Sequence, residues 1–195
     1  MNSEGSELES HLIEALIKGD QSAYRSIYDL HKSIVYNTAM GFLTNKNDAE
    51  DITQEVFVQV FRSVKNFKKE SKLSTWIYRI TITKCLDLLR SRKAKKRFAI
   101  FTDIFSDKEK DSEERFIDYE HPGIVEEKSE MSKLLFKEID SLPANQRIAF
   151  VLNKVEKLSY QEISEVMETS VSSVESLIFR AKGNLKKKLE GYYRG

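Results

Sequence analysis

Apolar residues return at every third or fourth position over long stretches of this chain, and little interrupts them: its 195 residues include seven glycines and two prolines. That spacing gathers apolar side chains on one face of an α-helix, whereas a half-buried strand needs strict alternation. The chain is therefore read as all-α. Leu12, Ile13, Leu16 and Ile17 mark a first stripe ending at Gly19-Asp20. Ala23, Ile27, Leu30, Ile34, Val35, Thr38 and Phe42 then predict one long helix from Ser22 to about Leu43, facing a core. The polar run from Thr44 to Asn47 ends it. Asp48 opens a third helix with acids in its first turn, where they complement the positive end of the helix dipole, and Ile52, Val56, Val60 and Val64 form its inner stripe. After a basic loop from Asn66 to Leu73, Ser74 or Thr75 is expected to cap a helix running through Arg90.

From Lys93 to about Glu130 the periodicity fades, acids accumulate and His121-Pro122-Gly123 breaks the chain, which reads as a flexible acidic linker between two small helical domains. Helical spacing resumes at Met131 through Leu134, Leu135, Ile139 and Leu142, and Pro143 begins a fresh helix. Beyond it, residues 158–182 read as two helices joined by a tight turn. Ser159 with Glu162 makes a capping box, Ile163, Val166 and Met167 face inward, and Ser170 or Ser172 caps the second helix. That second helix would bury Val171, Val174, Ile178, Ala181 and Leu185 and present Ser172, Ser173, Glu175, Ser176, Phe179, Arg180 and Lys182. The pattern fits a DNA-binding helix-turn-helix better than a plain helical hairpin in a bundle, which would give similar periodicity.

Charge separates these readings. The chain as a whole carries only +1, yet residues 61–102 hold thirteen Lys and Arg against two acids, Glu70 and Asp87. Phe61, Phe67, Trp76, Tyr78, Phe98 and Phe101 are threaded through that positive charge. Basic side chains neutralise phosphates, and exposed rings stack on bases that have left the duplex, so this stretch is a candidate surface for single-stranded or melting DNA. A basic amphipathic helix with core aromatics is the alternative. The basic run Lys186-Lys187-Lys188 extends positive charge past the second helix.

Catalysis is largely dismissed: Glu50 and Asp51, or the acids of residues 103–130, could form a carboxylate site, but an exposed acidic face is the better reading. His11, His31 and His121 stand far apart, no set of residues has metal-ligand spacing, and no glycine-rich loop is present to cradle phosphate, so neither an enzyme nor a cofactor is expected. The lone Cys85 rules out an internal disulfide. Neither a signal peptide nor a run of 18 uncharged apolar residues is seen, and a cytoplasmic protein is expected.

The stretch from Asp48-Ala-Glu-Asp-Ile-Thr-Gln-Glu-Val-Phe57, followed by Asn66 to Arg90 with Ser74-Thr-Trp-Ile-Tyr-Arg-Ile80 inside it, resembles region two of bacterial RNA polymerase sigma factors. Ser141-Leu-Pro-Ala-Asn-Gln-Arg147 through Leu189 resembles region four. Both point to the sigma-70 family, in its small extracytoplasmic-function (ECF) group. The resemblance implies an N-terminal tail at 1–14, region two at 15–92, a linker at 93–130, region four at 131–190 and a C-terminal tail at 191–195. Asp48, Asp51, Gln54, Glu55 and Val58 would then dock on the clamp helices of the largest subunit of core RNA polymerase. Asn66, Lys68, Lys69, Ser71 and Lys72 would capture a base of the melted minus-ten element, with Ser74, Trp76, Tyr78, Arg79, Thr83 and Asp87 beside the fork. Region four would dock on the polymerase flap and read the double-stranded minus-thirty-five element with Tyr160, Ser172, Ser173, Glu175, Ser176, Phe179, Arg180 and Lys182.

The family's habit of being held by an anti-sigma factor implies such a partner here. Glu175 and Leu177 stand where many relatives carry basic residues, and Thr83 where an Asn often stands, so promoter preference does not carry over. Glu175 could accept from a cytosine amino group or complete a capping box with Ser172. A stand-alone helix-turn-helix regulator, or a single-strand binder using residues 61–102, would each account for only half of the match.

Overall fold

The computed structural model describes residues 3–43, 45–105 and 130–193, and among them it is helical throughout, with no strand. The helices are α1 (Ser3–Ile17), α2 (Gln21–Leu43), α3 (Lys46–Ser63), α4 (Leu73–Phe105), α5 (Glu130–Asp140), α6 (Ala144–Lys154), α7 (Tyr160–Met167) and α8 (Val171–Tyr193), with a 3-10 turn at Val64–Asn66. Helices α2, α3 and α4 pack on one another with α1 across their end, and α8 gathers α5, α6 and α7. Two helical units result, in the expected order. The greater part of the expected linker lies outside the described residues.

The stripes predicted from spacing are mostly the ones buried. Ala23, Ile27, Val35 and Phe42 of α2 close on Ile52, Val56 and Val60 of α3 and on Ile77 and Cys85 of α4. Val64 is buried as expected, in the 3-10 turn that follows α3. Leu30 departs from its expected stripe and is 61% exposed, because it lies on the side of α2 opposite Tyr28, whose ring packs on Phe57 of α3 at 4.7 Å. Helix α4 also runs past Arg90 to Phe105, since Ser91 to Phe101 contains neither Gly nor Pro and is rich in Lys, Arg and Ala.

Helix ends show how local chemistry sets the boundaries. Asn45 caps α3 by accepting from the Asp48 N–H at 3.0 Å. Helix α4 begins one residue before Ser74, and neither Ser74 nor Thr75 caps it. The Leu73 N–H instead donates to Glu9 Oε1 of α1 at 2.6 Å, so an acid 64 residues away satisfies a donor that the local sequence leaves open.

The two units meet along α2 and α4 on one side and α6 and α7 on the other. Gly41 permits this approach, because a Cβ there would come within 2.6 Å of Val151 Cγ1. Beside it Arg147, 5% exposed, donates through Nη2 to both the Asp140 carboxylate and the Phe42 carbonyl, while its guanidinium lies 5.4 Å from the centre of the Phe42 ring. The Phe42 carbonyl belongs to the last turn of α2, where carbonyls lack helical partners and the dipole favours a cation. Burial raises the Asp140 carboxyl above its ordinary range, against the opposing pull of Arg147. Replacing Arg147 with alanine strands that acid and should cost about 3 kcal/mol in urea unfolding, against about 1 kcal/mol for Glu9→Ala, which removes one cap.

Candidate nucleic-acid interface

The basic segment folds into the 3-10 turn, a loop and the first half of α4. Asn66, Lys68 and Lys72 are exposed there, with Ser71 and Ser74 half-buried. Lys69 takes a left-handed backbone, φ 57°, and its ammonium reaches Glu14 at 3.0 Å, which fastens the loop to α1. The Glu14 carboxyl is lowered chiefly by that hydrogen bond. Phe67 and Trp76 lie ring against ring, 5.0 Å between centres, and form a half-buried aromatic shelf behind the lysines.

Of the other aromatics in this stretch, Phe61 and Tyr78 are not free stacking partners. Phe61 is turned into the bundle, 3.6 Å from Tyr24 and 6.1 Å from Phe57 between ring centres. Tyr78 is 5% exposed, and its hydroxyl donates to Glu156 Oε2 at 3.1 Å. The side chains of Phe98 and Phe101 lie outside the described residues. Arg79 is occupied as well, since Nη2 donates to the Glu165 carbonyl at 2.7 Å and Nη1 pairs with Glu168 at 2.9 Å. Thr83 donates its hydroxyl back to the Arg79 carbonyl at 2.8 Å, and Asp87 pairs with Arg90 at 2.9 Å.

On α3 the expected acidic face divides. Asp48 is gripped by both terminal nitrogens of Arg92, at 2.6 and 2.5 Å, and Glu55 by Lys84 at 3.0 Å. Asp51, Gln54 and Val58 remain exposed, Val58 by 46%. The two paired acids thus bridge α3 to α4, and Val58 stands exposed among polar groups.

The C-terminal unit carries the expected helix-turn-helix. Ser159 and Glu162 form both bonds of the capping box, which holds the Glu162 carboxyl below its ordinary value. Glu168 turns the chain in the left-handed conformation at φ 51°, and Ser170, accepting from the Ser173 N–H at 3.2 Å, caps α8. Ser172 is therefore not the cap, and the capping-box role considered for Glu175 is overturned. Val174, Ile178, Ala181 and Leu185 are buried as expected, but Val171 is 39% exposed because it occupies the first turn of α8, ahead of the packed stripe. The outer face of α8 presents Ser172, Glu175, Ser176, Arg180 and Lys182, with Ser173 and Tyr160 half-buried. Phe179 stands among them at 78% exposure, the most exposed of the large apolar side chains described.

Sequence reasoning missed Arg147 and Glu156. Burial pushes the Glu156 carboxyl from 4.5 up to about 7, offset in part by the hydroxyls of Tyr78 and Thr38. Burial likewise raises the Tyr78 hydroxyl, with the Glu156 and Glu162 charges adding to it. Cys85 is pushed up to about 12 by burial, which leaves its thiol unreactive.

Comparison with known proteins places both halves together. The family model described as Sigma-70 region 2 matches residues 27–95, and that described as Sigma-70, region 4 matches residues 132–185. The chain is 31% identical over 184 residues to the ECF RNA polymerase sigma factor SigW of Bacillus subtilis, covering 91% of this chain and 94% of that one. It is 30% identical to the ECF RNA polymerase sigma-E factor of Haemophilus influenzae, covering 92% and 94%. Among solved structures the fold is similar to that of CnrH bound to the cytosolic domain of CnrY, with a TM-score of 0.67 at 21% identity over 94% of this chain and 97% of that one. It is also similar to that of RpoE of Bartonella quintana bound to the anti-sigma factor NepR, with a TM-score of 0.59 at 18% identity, covering 86% and 96%. No helix among the described residues is long and apolar enough to cross a membrane.

The raised Glu156 carboxyl has a defined pH signature. An acid whose folded value exceeds its unfolded one binds more protons in the folded state, so its support for the fold is complete below about 4.5 and is lost as pH rises through about 7. Urea stability should therefore fall by about 1–3 kcal/mol between pH 5 and 7.5 relative to Glu156→Gln, whose amide does not titrate.

Proposed function

Because the chain belongs to the ECF group of the sigma-70 family, non-enzymatic factors of transcription initiation, we propose that it recruits core RNA polymerase to promoters with two separated elements. Its α3 face of Asp51, Gln54 and Val58, with Asp48 and Glu55 behind it, docks on the clamp helices of the largest subunit, and the C-terminal unit docks on the flap. The loop of Asn66, Lys68, Lys69, Ser71 and Lys72 receives a flipped base of the melted minus-ten strand. Ser74, Trp76, Tyr78, Arg79, Thr83 and Asp87 of α4 line the fork. A flipped base loses a few kcal/mol of stacking, which a pocket of lysines over the Phe67–Trp76 shelf offsets.

The observation that carries this reading is the exposed outer face of α8, a capped helix that follows a tight turn and bears one uncovered aromatic ring among polar side chains. Such a helix suits the major groove. Phe179 meets a thymine methyl, Arg180 and Lys182 reach guanine or phosphate, Glu175 accepts from a cytosine amino group, and Tyr160, Ser172, Ser173 and Ser176 complete the contacts. Two solved structures of similar fold hold anti-sigma factors or a cytosolic partner domain, and this chain is proposed to have an anti-sigma partner of the same kind.

Purified protein mixed with core polymerase and randomised promoter DNA should yield transcripts that need both components and share two spaced upstream elements. A protein that retains duplex DNA without polymerase, and adds no specificity to it, would be a stand-alone regulator. Phe179→Ala should lower transcription about tenfold and relax the preference for one thymine in the upstream element, with stability changed by less than about 0.5 kcal/mol.

A further inference from the structure

The loop that carries the base-capturing residues is fixed from outside itself. Residues 67–72 join the 3-10 turn to α4, and Lys69 turns them through a left-handed backbone at φ 57°, which costs any residue bearing a Cβ. The Lys69 ammonium donates to Glu14 Oε1 at 3.0 Å, and the Leu73 N–H, where α4 begins, to Glu9 Oε1 at 2.6 Å. Both acids stand on α1, within the segment 1–14 that the resemblance sets aside as a tail. They lie five positions apart, about 7.5 Å along the helix axis, so one rigid helix reaches the middle and the end of the loop together. Ile13 and Leu16, 2% and 8% exposed, pin that helix into the bundle, where it packs on α2 and on the 3-10 turn.

The two contacts work differently. Lys69 and Glu14 keep side-chain exposures of 41% and 59%, and an ion pair so open to water adds little to stability. What it fixes is direction, since the ammonium is turned to α1 and the left-handed turn is held by a partner. Glu9 is half-buried and meets the positive end of α4, completing a donor that neither Ser74 nor Thr75 serves. That bond sets where α4 starts. Trp76 in the first turn carries the ring that lies against Phe67, so the place of the aromatic shelf follows from it.

Resting on the sigma-factor reading above, we propose that Glu9 and Glu14 of α1 are positioning residues for the base-capturing loop, and that Lys69 is a fastening of that loop and not a contact to the flipped base. Glu14 holds the loop at its left-handed turn, and Glu9 holds it where it enters α4. Asn66, Lys68, Ser71 and Lys72 are left to meet the base over the Phe67–Trp76 shelf. Helix α1 thus sets minus-ten preference without touching DNA.

The test uses the full chain with core polymerase on promoters varied one minus-ten position at a time. Glu9→Ala, Glu14→Ala and Lys69→Ala should each narrow the ratio between the best and worst base at one position about fivefold, because groups in one network couple. Preference in the minus-thirty-five element should not change. Glu9→Gln, which keeps an oxygen to accept the Leu73 N–H, should restore the ratio, and so should the exchanged pair Glu14→Lys/Lys69→Glu. Glu14→Ala combined with Lys69→Ala should be no worse than either alone. Binding of a forked, pre-melted probe by the Lys69→Ala complex should keep its salt slope, whereas loss of a lysine from a phosphate lowers it by about one. A lowered slope, a failed charge exchange, or an equal loss at every promoter overturns the assignment. Amide exchange at Leu73, faster in Glu9→Ala than in Glu9→Gln, reads the fastening without DNA. If that difference is seen but the unaltered chain gives polymerase no promoter specificity, the sigma reading fails and the positioning role falls with it; if specificity is present and the difference is absent, only the positioning role falls.

Discussion

The guanidinium of Arg147 is buried where the two helical units meet, and the groups that satisfy it come from both. Asp140 belongs to the C-terminal unit and the Phe42 carbonyl to the last turn of α2, so one side chain ties a helix terminus in one unit to a buried acid in the other. A cation at that terminus completes a carbonyl that the helix cannot satisfy and sits where the α2 dipole is negative. With α6 held against α2 by this contact and by the close approach at Gly41, α7 falls across α4, and Tyr78 and Arg79 meet Glu156, Glu165 and Glu168.

The two units differ from their junction in how polar groups are treated. Within the units, helix ends are closed by Asn45, Ser159 with Glu162, and Ser170, and the interiors are apolar. At the junction, charges are buried with only part of their hydrogen-bonding capacity used. A paired buried charge is strongly destabilising to break from one side but contributes little net stability when whole, because desolvation cancels much of the attraction. Such a layer specifies an arrangement while keeping it separable.

Much of this was legible in the residues. The helices of both units, the capping box at Ser159, the turn before α8 and its buried stripe all depend on neighbours three or four positions away, which spacing reports directly. Misreadings arose where a helix lacked a partner on an expected side. Leu30 and Val171 keep the helical period yet face outward, since period says which residues share a face and not whether another element covers it. In the sequence, the aromatics of the basic segment stay open between stacking and core for a related reason. Composition cannot distinguish a ring offered to a base from one, like Phe61, turned into its own bundle.

By itself, then, the chain determined its all-helical class, its division into two units and the capping box at Ser159, because each follows from local spacing and side-chain chemistry. Only the tertiary structure decided that Glu9 closes the start of α4, that Arg147 joins the units and that Tyr78 and Arg79 are covered. These contacts join residues 64, 105, 78 and 86 positions apart. Separations of that size carry no periodic trace, and the partners are chosen by how whole helices dock once their apolar stripes have been buried.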